Sequence, residues 1–145
     1  MWQSIYNWPW GTIWTAVSAI FTASTAVVAY WAILRWRKQD ELKAKMAFKQ
    51  AIADYHYGLL LMPDDLSDEE VRKEYYDLKM SLITKFNQCR NAFLYCEDLL
   101  DEELEVLAHW NNIYKTHSVF LKGKEDSSVL HNACNSILKI KFVFK

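Results

Sequence analysis

Hydrophobic and polar positions divide this chain into two regimes. From Trp10 to Leu34 no side chain carries a charge, and the run ends abruptly at Arg35-Trp36-Arg37-Lys38. Counted from Thr12, the 23 residues 12–34 make as an α-helix a rod of roughly 34 Å, enough to cross a hydrocarbon core of about 30 Å. The pattern predicts a transmembrane helix over 12–34, preceded by a short extracytoplasmic aromatic tail over 1–11.

Beyond Arg35 the pattern turns periodic. No Pro or Gly interrupts the chain until Gly58, so the helix is expected to run on over 35–61 as one stiff rod. Met46, Phe48, Ala51, Ile52, Tyr55, Leu59 and Met62 mark its apolar stripe, at steps of mostly three and four. Gly58 and Met62-Pro63 loosen and end it. Ser67-Asp68-Glu69-Glu70 reads as a capping box that opens a second helix over 68–97. There Val71, Tyr75, Leu78, Leu82, Phe86, Cys89, Phe93 and Cys96 alternate three and four apart, the spacing of shallow packing in an antiparallel bundle.

Asp101 is expected to cap a third helix over 102–121, with Leu104, Leu107, Ala108, Asn111, Tyr114 and His117 on one face and Trp110, Ile113 and Phe120 beside it. Lys122-Gly123-Lys124 stops it. Ser127 or Ser128 then caps a fourth helix over 128–139, with Val129, Leu130, Ala133, Cys134, Ile137 and Leu138 as its apolar positions. Ile140, Phe142 and Phe144 alternate against Lys139 and Lys141 at a strand period, but without a partner strand a helix end or an extended tail is expected. The lysines and aromatics of this tail also suit contact with an anionic inner leaflet. The fold class is thus all-α: one N-terminal transmembrane helix continuing into a small cytoplasmic antiparallel helical bundle over 35–145.

Charge placement orients this plan. All 17 Lys and Arg and all 18 Asp and Glu lie at or after Arg35, so the positive-inside rule puts the N-terminus outside and the domain in the cytoplasm, at the inner (plasma) membrane. Trp8, Trp10, Tyr30, Trp31 and Trp36, with Arg35, Arg37 and Lys38, are the expected interface anchors. A cleaved signal peptide would carry a basic leading region and a shorter apolar run. A buried soluble helix seldom hides every face over six turns.

Within the span, residue size sorts by face. Thr15, Ser18, Ala19, Thr22, Ala23, Thr25, Ala26 and Ala29 form small-residue ladders on one side, opposite Ile13, Trp14, Val17, Ile20, Phe21, Val27, Val28 and Trp31. Such a face suits association with a second copy or another transmembrane helix; alternatively its hydroxyls bond back to their own backbone.

Candidate chemistry changes little. Cys89, Cys96 and Cys134 lack CxxC spacing and read as reduced core thiols. His56, His109, His117 and His131 are scattered, and His109 and His117 share a helix without a Glu at HExxH spacing. Three glycines offer no phosphate-cradling loop, and no nucleophile signature appears. No catalytic residue, cofactor, metal site or small-molecule substrate is expected, and the nearly neutral balance argues against strong direct nucleic-acid binding. The acids Asp64, Asp65, Asp68, Glu69, Asp101, Glu102 and Glu103 sit at helix starts, where they favour the dipole, and form the candidate surface for a basic partner.

A charge-free span joined without a hinge to a small bundle that carries no catalytic signature fits a non-enzymatic membrane effector. In layout it resembles the small single-span membrane effectors of bacterial anti-phage defence systems, those paired with retron reverse transcriptases among them. That resemblance implies a toxin-like protein, restrained by a cytoplasmic protein or ribonucleoprotein until it disrupts the membrane, and carries over no functional residue. The alternative is a membrane-anchored scaffold or accessory subunit that recruits a cytoplasmic complex, docking it on the heptad face of Val71 to Cys96.

Overall fold

The computed structural model describes residues 9–101 and 103–142, and its secondary structure there is all helical. Five α-helices follow in order: α1 Trp10–Leu60, α2 Glu69–Glu74, α3 Tyr76–Cys96, α4 Leu104–Phe120 and α5 Ser128–Lys139, with a 3-10 turn at Glu97–Leu99. The chain divides into two units between Gln39 and Asp40, and α1 contributes to both. Trp8, Glu102 and the tail beyond Phe142 lie outside the described residues.

In the second unit the side chains fix the helix directions. Phe48 meets Phe93, the Cys89 thiol donates to the Ala51 carbonyl at 3.0 Å and the Lys85 ammonium to the Asp54 carbonyl at 3.2 Å, so the end of α1 and α3 run antiparallel. Phe93 stacks on Trp110 at 5.1 Å and Phe86 on His117 at 4.0 Å, which sets α4 antiparallel to α3. His56 meets His131, and the Lys49 ammonium donates to the Ile140 carbonyl at 2.7 Å, bringing α5 back along α1. The result is an up-down-up-down four-helix arrangement, as the three-and-four spacing anticipates.

Its core is a column of aromatic rings. Trp110 lies between Phe86 and Phe93 with Phe48 edge-on at 5.6 Å, and Ile52, Leu59, Leu82, Ile113, Phe120, Leu130 and Ile137 close around it. Gly58 does not end α1 but lies buried within it; a Cβ there would come 3.0 Å from Lys85 Cδ and 3.2 Å from Leu82 Cδ1, so its bareness sets how closely α3 approaches.

Helix ends depart from expectation where side chains have better partners. Ser67 turns its amide and hydroxyl to Asp65, both at 2.8 Å, so Asp68 rather than Ser67 caps α2, accepting from the Glu70 amide at 2.9 Å. The single helix expected over 68–97 breaks at Tyr75 (φ −93°, ψ 21°). Arg72 ties α2 to its own loop through the Leu66 and Ser67 carbonyls while α3 follows α1, and one residue absorbs the change of direction.

Asp101 does not cap the third helix. The 3-10 turn carries Leu100 into the core, and α4 begins at Leu104 after Glu103, which makes no side-chain cap. The buried face of α4 is also rotated from expectation: Val106, Trp110, Ile113, His117 and Phe120 point inward, whereas Leu104 and Tyr114 are 73% and 52% exposed. The larger rings claim the interior.

Gly123 ends α4 as the sequence predicts. The Lys124 amide reaches the Val119 carbonyl at 3.2 Å and the Gly123 amide the Phe120 carbonyl at 2.8 Å, a Schellman closure at φ 69°, with the Leu66 carbonyl packed where a Cβ would stand. Ser127 precedes α5 without capping it. Its hydroxyl donates instead to Asp64 at 2.7 Å, and Asp126 receives the Ser128 amide at 2.9 Å. After Lys139 the chain is extended at Ile140, and Phe142 lies 5.8 Å below the ammoniums of Lys45 and Lys49.

Candidate functional site

The first part of α1 is long and apolar enough to cross a membrane, and none of its apolar window is buried. Thr15, Ser18, Ala19, Thr22, Ala23, Thr25, Ala26 and Ala29 are all exposed on one continuous helix. Thr15, Thr22 and Thr25 donate their hydroxyls to the carbonyls of Gly11, Ser18 and Phe21 at 2.7 to 2.9 Å, and Ser24 does the same to Ile20. In the single helix these hydroxyls are therefore satisfied locally, while each oxygen keeps lone pairs with which to accept a bond.

Of the anchors, Trp10, Tyr30, Trp31 and Trp36 are exposed, as are Arg35, Arg37 and Lys38. The Arg35 guanidinium lies 5.7 Å over the Trp31 ring, one turn back on the same face. Trp31, Leu34, Arg35 and Lys38 line a shallow groove along this stretch.

The acidic candidates are largely occupied with local structure. Asp64 receives Ser127 through both its side chain and its carbonyl; Asp65 holds Ser67, Asp68 caps α2, and Glu69 pairs with Lys73 at 2.8 Å. Asp101 is exposed and Glu103 half-buried at the start of α4. The heptad face of Val71 to Cys96, the docking surface under the scaffold alternative, is occupied by the domain's own core: Leu82, Cys89, Phe93 and Cys96 are buried, with Val71, Tyr75, Leu78 and Phe86 packed against them.

Two histidine pairings change the picture of scattered imidazoles. His117 is 5% exposed, stacks on Phe86 and shares a hydrogen bond with the Tyr55 hydroxyl through Nδ1 at 2.9 Å; burial pushes its pKa down to about 4. Burial likewise raises the Tyr55 phenol. His56 Nε2 faces His131 Nδ1 at 3.1 Å between α1 and α5. The sequence gives no signal for this pair, because its members stand 75 residues apart.

The cysteines are free and buried. Burial pushes Cys96 up to about 11 and Cys134 up to about 12, and raises Cys89, so all three are protonated packing groups near neutral pH. Among the described residues no group of three or more His, Cys, Asp or Glu is placed to hold a metal ion. Comparison with protein-family models, curated proteins and solved structures finds no significant match.

Proposed function

We propose that the chain is a non-enzymatic single-pass membrane protein. Residues 12–34 cross the inner (plasma) membrane, with the N-terminus outside and the helical domain in the cytoplasm. The observation that carries the reading is the exposure of Ile20, Phe21, Val27, Val28 and Trp31, between 65% and 70% each. Burying such a side chain yields about 1.5–3 kcal/mol, and a bilayer supplies that burial along a helix of spanning length. The absence of any charge before Arg35 and the length of the apolar run favour a retained span over a cleaved signal.

On this reading the small face over Thr15 to Ala29 pairs spans, and the cytoplasmic domain binds a controlling protein or ribonucleoprotein that keeps them inert. Release lets the spans assemble, and a hydroxyl-lined interface then gives water and ions a path, disrupting the membrane as an effector of a bacterial defence or toxin system does. The test is expression of the full chain with a membrane-potential dye. Growth arrest with depolarisation, abolished by Ser18→Leu together with Thr22→Leu, is the expected result; healthy, polarised cells at matched expression overturn the effector role.

A further inference from the structure

His56 on α1 and His131 on α5 present ring nitrogens to each other at 3.1 Å, with ring planes at 80° and both residues half-buried. At that separation one proton joins the two nitrogens, and a second places two cations in contact. We propose that the His56–His131 pair is a proton-operated latch: singly protonated or neutral it holds α5 to α1, and doubly protonated it releases α5.

The surroundings set how the latch responds. Burial and the neighbouring His131 both lower the His56 pKa, so the closed form resists the second proton while the open form accepts it. Asp64 and Asp126 line a cleft with His131, and their negative charge moderates the repulsion. Asp126 is held below the usual carboxylate range by its hydrogen bonds from Ser128. On α1, Asp54 is engaged by Gln50 and Tyr57 lies under Lys85; α5 otherwise carries only buried Cys134 and Lys139 as titratable groups. Opening uncovers Leu130, Cys134 and Ile137 and loosens the extended tail that Lys49 holds at Ile140. Acidification thus exposes an apolar helix face on the domain, whether or not the first helix spans a membrane.

The test is amide hydrogen exchange on the full chain in detergent at about pH 7.5 and about pH 5.5, corrected for intrinsic rates. The latch predicts that α5 loses protection by roughly tenfold more than α3 on acidification, and that His56→Gln and His131→Gln each remove this pH-dependent difference. Equal loss across α3 and α5, or a difference that survives both substitutions, overturns it. Should the variants fail to fold, NMR titration of the wild-type imidazoles decides: two coupled, separated steps support the latch, and two independent ordinary titrations refute it.

Discussion

The two units put the same kinds of residue to opposite uses. Between Trp10 and Gln39, valine, isoleucine, phenylalanine and tryptophan are largely exposed and the hydroxyls of Thr15, Thr22, Ser24 and Thr25 bond to their own helix; after Asp40, a core running from Phe48 to Ile137 turns inward and polar groups join one segment to another. Under the proposed function the difference is one of solvent. A helix that must satisfy its polar groups internally and leave its apolar faces unmatched is built for lipid, whereas a stripe at three-and-four spacing is built to meet its neighbours in water.

Substitutions that act on one unit alone sharpen this contrast. The largest effect is expected from Val27→Asp with Val28→Asp. Each carboxylate near the centre of a span costs about 2.5–3.5 kcal/mol on insertion scales, so the chain should leave the membrane fraction while the domain's thermal unfolding stays unchanged. Trp110→Ala should do the reverse, costing the domain about 3–5 kcal/mol in denaturant titration without moving the protein out of the membrane.

Next comes acid. His117 is neutral in the fold with its pKa down at about 4, while the unfolded chain takes up that proton near 6.5. Above that ordinary value the residue adds no pH dependence. As the pH falls from about 6.5 towards 4 the unfolded state binds the extra proton and stability drops, by about 3 kcal/mol at full extent. Denaturant midpoints measured through this window should show the slope, and His117→Gln should flatten it. The smallest effect is expected from Ser18→Leu: span association measured by energy transfer in vesicles should weaken by about 1 kcal/mol, with insertion and domain unfolding unaltered.

Much of this architecture is legible from spacing alone. The charge-free run, the stripe from Phe48 to Leu59, the heptads of α3 and the stop at Gly123 each follow from local periodicity or a single backbone requirement. What escapes is decided by tertiary partners. Ser67 leaves its expected cap for Asp65 and Ser127 leaves its own for Asp64; Tyr75 breaks a helix whose period never falters; and the face of α4 is set by which rings fit around Trp110. The pairing of His56 with His131 depends on α5 returning along α1, which no window of sequence contains.

Sidedness of the two ends tests the central claim most directly. In intact cells expressing the full chain with a tag at each end, an impermeant label should reach the tag before Met1 and fail to reach the one after Lys145 until the membrane is opened. Labelling of both ends, or of neither, before the membrane is opened would contradict a single outward-facing crossing by residues 12–34.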